Sequence, residues 1–370
     1  MRTGINIIFA GLLLRTILAA INSFYSPLLG AEFDAIKFHE TAEMVALSWD
    51  NIDLRTGWIY ATALGIIYKY TFSSIFVGCL VSVFAWGISA IILNKIMDIF
   101  KIQDNSRTII LILYAFWPSA IIFTSVTLRE PFQLLFLNLT IFSYVKIFLQ
   151  KKTKYTFLFL GSLVCLALIH KMFVGVSFIF LLFYGFSFVS SLDKKNIKYF
   201  FYIFVILIII TSFSLDIIMD YLFSKIPLDK LSIYQIISSH INNMTVSRAA
   251  YLNEKIYLYN FYDFFKYLLS SIGNYFIQPS PFRQETLFDM LLFFENTIRL
   301  ILLFLAFLNL FKFMNINYKF FVIIFLVYIS SEIIWALGTN NWGTAVRHHV
   351  PSMGLLFFLS FFSIKKNNFN

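Results

Sequence analysis

The sequence predicts an all-α polytopic membrane protein of about ten transmembrane helices, with an amphipathic outer-face helix after the first span. Three observations predict it. Of the 370 residues, 59% are hydrophobic and 13% charged, whereas soluble chains carry about 25% charge. The mean hydropathy is +0.79. Apolar runs near the length that crosses a hydrocarbon core of about 30 Å recur along the chain. Collagen, coiled coil, disordered tail and disulfide scaffold are excluded by the same composition.

The apolar runs fall at roughly 5–25, 74–94, 109–126, 132–149, 156–170, 173–190, 200–219, 287–311, 320–337 and 351–364. The first lacks a clear small-residue cleavage site, so it reads as a span and not a cleaved leader. Only His170 and Lys171 separate the fifth run from the sixth. Arg2 and the short loops at 95–107, 146–154, 194–198, 312–319 and 365–366 together hold fifteen Lys and Arg residues. With ten crossings all of them lie on one side, which the positive-inside rule makes cytoplasmic, with both termini. The chain thus reads as a single transmembrane domain over 1–370 in the inner (cytoplasmic) membrane. A net charge of +10 would suggest nucleic acid in a soluble protein. Here the cations sit in topology-setting loops, and no basic stripe interleaved with aromatics lies outside the spans. No nucleic-acid partner is expected. Cys79 and Cys165 both lie inside apolar runs and report nothing about redox compartment.

The outer side is different in kind. Its first loop, 26–73, holds Glu32, Asp34, Glu40, Glu43, Asp50 and Asp53 against Lys37, Arg55 and Lys69. A large second loop, 220–286, is rich in Tyr, Asn and Ser, and two short turns, 127–131 and 338–350, complete that face. Polar chemistry is therefore expected outside.

Three clusters could carry it. From Ala31 to Ala46 the apolar residues recur with helical spacing, which predicts an amphipathic helix at the interface. Asp34, Lys37 and Phe38 share one of its faces, with His39 beside them; the ordinary reading is a solvated surface helix. Arg347, His348 and His349 stand where the last span begins. They read either as an interfacial anchor with Trp342 or as adjacent donors for a phosphate. Arg129-Glu130-Pro131, between two apolar runs, reads either as a structural turn or as a site. Arg15, Glu295, Arg299 and Glu332 lie within spans and need partners there. The chain contains no P-loop, GxGxxG, GxSxG, HExxH or cysteine cluster, so no cofactor is predicted, and a divalent metal is left open.

The order of these features resembles a known family. A first span is followed by Asp34-Ala-Ile-Lys-Phe-His39, then Tyr60-Ala-Thr-Ala-Leu-Gly-Ile-Ile-Tyr-Lys-Tyr70 and Phe116-Trp-Pro-Ser119. Thr127-Leu-Arg-Glu-Pro131 opens one span and Arg347-His-His-Val-Pro351 the last. This layout resembles the GT-C superfamily of multi-span glycosyltransferases, particularly bacterial relatives of the protein mannosyltransferase and aminoarabinose transferase group. Residues 1–150 carry most of the likeness and the last 40 carry part of it. The resemblance implies a GT-C-like fold, a polyprenyl-phosphate-linked sugar donor, a glycan or lipid acceptor and a site at the outer interface. It implies a catalytic acid residue in the first outer loop, a position Asp34 occupies, with Glu32 two residues before it as the competing choice. Lys69, Arg129 and Arg347 are then the candidates to hold the lipid phosphate. Glu130, His39, His348 and His349 complete the substrate-binding set.

The expected function is thus a membrane glycosyltransferase of surface-polysaccharide assembly, without a large soluble C-terminal domain. Two alternatives stand beside it. An O-antigen or capsule repeat-unit polymerase would use lipid-linked oligosaccharide as donor and acceptor. A lipid-linked oligosaccharide flippase or transporter would show a pseudo-repeat and polar residues spread through the spans.

Overall fold

The computed structural model describes residues 2–28, 32–189, 248–251, 256–312 and 318–363. The apolar run at 200–219, the basic loop at 194–198 and, in the 220–286 loop, residues 220–247 and 252–255 lie outside the described residues. Among the described residues the chain is helical, without a strand.

The first half contains α1 (Arg2–Phe24), α2 (Glu32–Leu47), α3 (Ile59–Tyr70), α4 (Ile75–Ile99), α5 (Asp104–Phe116), α6 (Pro118–Phe123), α7 (Glu130–Phe148), α8 (Thr156–Ile169) and α9 (Met172–Val189). The second half contains α10 (Phe261–Ile277), α11 (Leu287–Lys312), α12 (Tyr318–Leu337), α13 (Trp342–His349) and α14 (Met353–Ser360). Five of them, α1, α4, α7, α11 and α12, are long and apolar enough to cross a bilayer, and α8 and α9 contain shorter apolar helices. The chain is a multi-pass membrane protein whose environment is a lipid bilayer.

Two expected spans are broken helices. The run at 109–126 breaks between α5 and α6, because Pro118 has no N–H to donate and pushes the preceding residue to an extended conformation. Trp117 is accordingly extended, at φ −67° and ψ 121°. The run at 351–364 yields only α14, eight residues long and buried along its whole length. At about 1.5 Å per residue it rises roughly 12 Å, so the chain passes from Arg347 to Ser363 only with α13 before it.

Small residues set the packing. Along α4, Gly78, Ser82, Ala85 and Ser89 recur at helical spacing and are buried, the pattern that lets membrane helices approach closely. Ser82 and Ser89 donate to the carbonyls of Leu128 and Leu134, 3.4 and 3.2 Å away, so this face meets α7. On the other side Gly11 of α1 leaves room for Trp86; a Cβ there would stand 2.6 Å from the indole. Over that indole, 3.6 Å from its centroid, lies the buried guanidinium of Arg15. It donates to Thr124 Oγ1 and to the Ala115 carbonyl, each at 2.7 Å. A cation in the first span thereby anchors the end of α6, directly before the segment that carries Arg129 and Glu130.

The molecule has two chemically different ends. α7 begins at Glu130 and ends in the lysines of 146–154, 19 residues later, roughly 28 Å at the helical rise. The Gln103 N–H donates to the Ser363 carbonyl at 2.8 Å, so the basic 95–107 turn and the end of the described chain meet at that lysine-rich end. The other end carries α2, α3, α13 and the short turns between them.

Candidate functional site

The site is built where α2, the α6–α7 turn and α13 meet. α13 is fixed at its start. The Asn341 side chain accepts from the Thr344 N–H at 2.7 Å, an N-cap that satisfies an otherwise orphan donor. The Trp342 indole donates to Asp289 at 2.9 Å, and Asp289 also receives Arg248 at 2.6 Å and Thr286 at 2.8 Å. Near the other end of this short helix stands Arg347.

Arg347 holds two carboxylates at once. Its Nη2 and Nε donate to Glu130 Oε1 at 2.8 and 3.2 Å, and its Nη1 donates to Asp34 Oδ2 at 2.5 Å. Glu130 suits its place at the first turn of α7, where an acid complements the helix dipole and Pro131 costs no hydrogen bond. The two acids differ in access: the Asp34 side chain is 53% exposed and that of Glu130 3%. Partial burial pushes the Asp34 carboxyl up, but Arg347, aided by Arg129 and Lys37, outweighs it and holds the group below its usual range. Burial pushes Arg347 down, yet Glu130 and Asp34 raise it further, so it stays charged.

Arg129 has no such clasp. Its guanidinium lies 5.7 Å from the Phe38 ring centroid, and its Nε is buried with no hydrogen-bond partner. The second oxygen of Glu130 is likewise buried and unpartnered. Beside them runs an apolar groove of about 230 Å³ among α3, α4, α7 and α8, lined by Tyr60, Leu64, Ile67, Phe132, Phe136 and Leu168 among others. Tyr60 packs edge-on against Phe38, 5.2 Å between centroids, and Phe132 follows Glu130 by two residues. Phe38, which Arg129 also approaches, thus links that cation to Tyr60 of the groove. An exposed apolar stripe of Phe33, Ile36, Met44 and Leu47 runs along α2, as an interfacial helix requires.

Not every expected residue joins this cluster. Asp34, Arg129, Glu130 and Arg347 are brought together. The Glu32 side chain lies outside the described residues. Lys69, expected to hold phosphate, stands over Trp49 at 4.1 Å, at the far end of α3. His39 is turned into the α2–α3 contact, with Nδ1 2.9 Å from the Tyr68 hydroxyl and Nε2 3.3 Å from Glu43. The Arg347-His348-His349 run does not form one row of donors, because successive helical residues point about 100° apart. His349 turns inward to Glu332, 2.5 Å away, and Ser352 donates to the same carboxylate. His348 stacks on Trp335 at 3.9 Å and bonds Thr339 at 2.7 Å.

His170 also lies here, although in the sequence it is only an interruption between two apolar runs. Its ring lies 4.7 Å from Trp335 and 6.3 Å from His348. The other in-span charges have structural partners: Glu295 accepts from Trp117 Nε1 at 3.0 Å and from the Ser119 N–H at 2.7 Å. Arg299 donates to Asn296. Among the described residues no three His, Cys, Asp or Glu side chains converge to hold a metal.

No family model, no curated protein and no solved structure matches this chain.

Proposed function

We propose that the chain is a membrane glycosyltransferase that moves a sugar or oligosaccharide from a polyprenyl-phosphate-type donor to a glycan or lipid acceptor. The lysine-rich end faces the cytoplasm, and the Arg347 end faces outward. One observation carries the reading: two guanidiniums, one clasped by two acids and one with its Nε unpartnered among the described residues, meet at the turn that leads into α7, and Phe38 links the second of them to Tyr60 of an apolar groove. That arrangement suits an anion bearing a hydrocarbon tail. Charge-assisted bonds to guanidinium are among the strongest a phosphate can make. The groove takes the first units of the chain, and Arg129 and Arg347 take the phosphate.

The chemistry follows. An acceptor hydroxyl attacks the anomeric carbon, and the bond to the phosphate oxygen breaks with its electron pair on the departing lipid phosphate. Fixed cations stabilise that developing charge where water is partly excluded. Asp34 supplies a carboxylate at the open side of the site, where an acceptor arrives. It can orient that hydroxyl or take its proton once phosphate competes for Arg347.

The test is sugar transfer by the purified chain from labelled lipid-linked saccharide. Arg347→Ala and Arg129→Ala should each weaken donor use, by about 2–4 kcal/mol for a donor aimed at developing charge. Translocation of the labelled lipid without transfer would reject the reading and favour a transporter.

A further inference from the structure

The hydrogen bonds around His348 fix its tautomer. The Thr339 hydroxyl has one proton, and it donates to the Trp335 carbonyl, an acceptor only, at 2.7 Å. Thr339 Oγ1 therefore accepts from His348, 2.7 Å away, and the His348 Nδ1 carries hydrogen. In the neutral ring Nε2 is then a bare lone pair, an acceptor that cannot donate to phosphate. The residue is of intermediate exposure, and Nε2 makes no hydrogen bond among the described residues. Stacking on Trp335 at 3.9 Å holds the ring plane. An imidazole oriented through one nitrogen and open at the other is how a general base is presented.

Its surroundings fit that task. The charged and titratable groups that act on it are His170 from the α8–α9 turn, Arg347 and His349 on its own helix, and Arg129 before α7. Burial first, then these neighbours, holds the imidazole well below the usual histidine range, so it is unprotonated at neutral pH. His170 does not compete for the role: its Nδ1 accepts from the Met172 N–H at 3.2 Å, so its neutral ring carries hydrogen on Nε2.

We propose that His348 Nε2 accepts the proton of the attacking hydroxyl. The proposal rests on the transferase reading above. In the step, the hydroxyl oxygen bonds the anomeric carbon and the sugar–phosphate bond breaks towards phosphate. The hydroxyl proton passes to Nε2, and the resulting imidazolium releases it to water. Phosphate on Arg129 and Arg347 cancels part of their repulsion of that imidazolium. The base is thus weak in the empty site and strengthened when the donor is seated. Asp34 and Glu130 hold Arg347 in place.

The experiment uses the full chain in nanodiscs, with labelled lipid-linked saccharide extracted from membranes of its own host. His348→Asn keeps an amide N–H for Thr339 and removes the Nε2 acceptor. Its kcat should fall by about 10²–10⁴ with donor KM unchanged, and the wild type's rise of kcat with pH should disappear. Diethyl pyrocarbonate, which attacks unprotonated and reachable imidazole nitrogens, should label His348 at neutral pH. A wild-type rate in His348→Asn, or an unreactive His348, overturns the proposal and leaves the transferase reading standing. Loss of the pH-dependent rise in Asp34→Asn, with the rise kept in His348→Asn, transfers the role to Asp34. Failure of the wild type to transfer sugar rejects the transferase reading, and this proposal with it.

Discussion

Arg347 touches two acids, but removing one acid is a different event from removing the other. Asp34 is half exposed, and an exposed ion pair contributes about 0–1 kcal/mol. Glu130 is buried, and taking away its cation strands a carboxylate at a cost of about 3–5 kcal/mol. Asp34→Asn should therefore leave the unfolding temperature in detergent almost unchanged, whereas Arg347→Met should lower it sharply. Adding Glu130→Gln to Arg347→Met should restore much of the loss, which a double-mutant cycle measures. The pH dependence has a definite sign. Arg347 holds Asp34 below its ordinary value of 3.8. The bond is therefore complete above that value and is lost as pH falls through the lower folded value. Hydrogen-exchange protection at the start of α2, relative to the intrinsic exchange rate at each pH, should stay constant from about pH 5 to 8 and fall only in stronger acid.

Among elements, α6 shows how much of this end depends on one distant side chain. Glu295 of α11 takes the Ser119 N–H and the Trp117 indole, so it caps the helix that Pro118 begins. Glu295→Ala leaves both donors without a partner, and each buried orphan costs about 1–3 kcal/mol. Thermal unfolding should show a combined loss of about 2–6 kcal/mol. Gly11→Ala should cost about 1–3 kcal/mol by overpacking, because its new carbon would meet Trp86 at 2.6 Å. Much of this scale was legible beforehand: the interfacial helix at Asp34, the charged Arg129-Glu130 turn and the helix bearing Arg347 were each marked by charge beside an apolar run. The break at Pro118 was also present in the letters, but unbroken hydropathy across 109–126 concealed it. Helical rotation separated His348 from His349, and no hydropathy profile records rotation. Lys69 was misplaced for a related reason: loop charge says nothing about which end of a helix faces the cavity.

At the scale of the whole molecule, the lysine-rich turns and the Arg347 site occupy opposite ends of α7, and this polarity predicts an orientation. A membrane-impermeant thiol reagent applied outside intact cells should label a cysteine at position 50 and spare one at 152. Both native residues are exposed, Asp50 before α3 and Lys152 after α7, so differential labelling would report the side of the membrane and not burial. The opposite pattern would invert the proposed topology.

Arg15 has a consequence that belongs to synthesis. Its acceptor Thr124 lies 109 residues later in the chain, and chains elongate at about 5–20 residues per second. For roughly 5–20 s the first span must hold a guanidinium that lacks its Thr124 and Ala115 acceptors in or near lipid, at about 2.5–3.5 kcal/mol on insertion scales. The nascent segment would have to lean on its flanking leucines, or on a helper protein, until α5 and α6 arrive. Crosslinking of a stalled chain truncated before residue 115 should find Arg15 against lipid headgroups or the insertion machinery; once the chain is long enough for α6 to have left the ribosome, that contact should vanish.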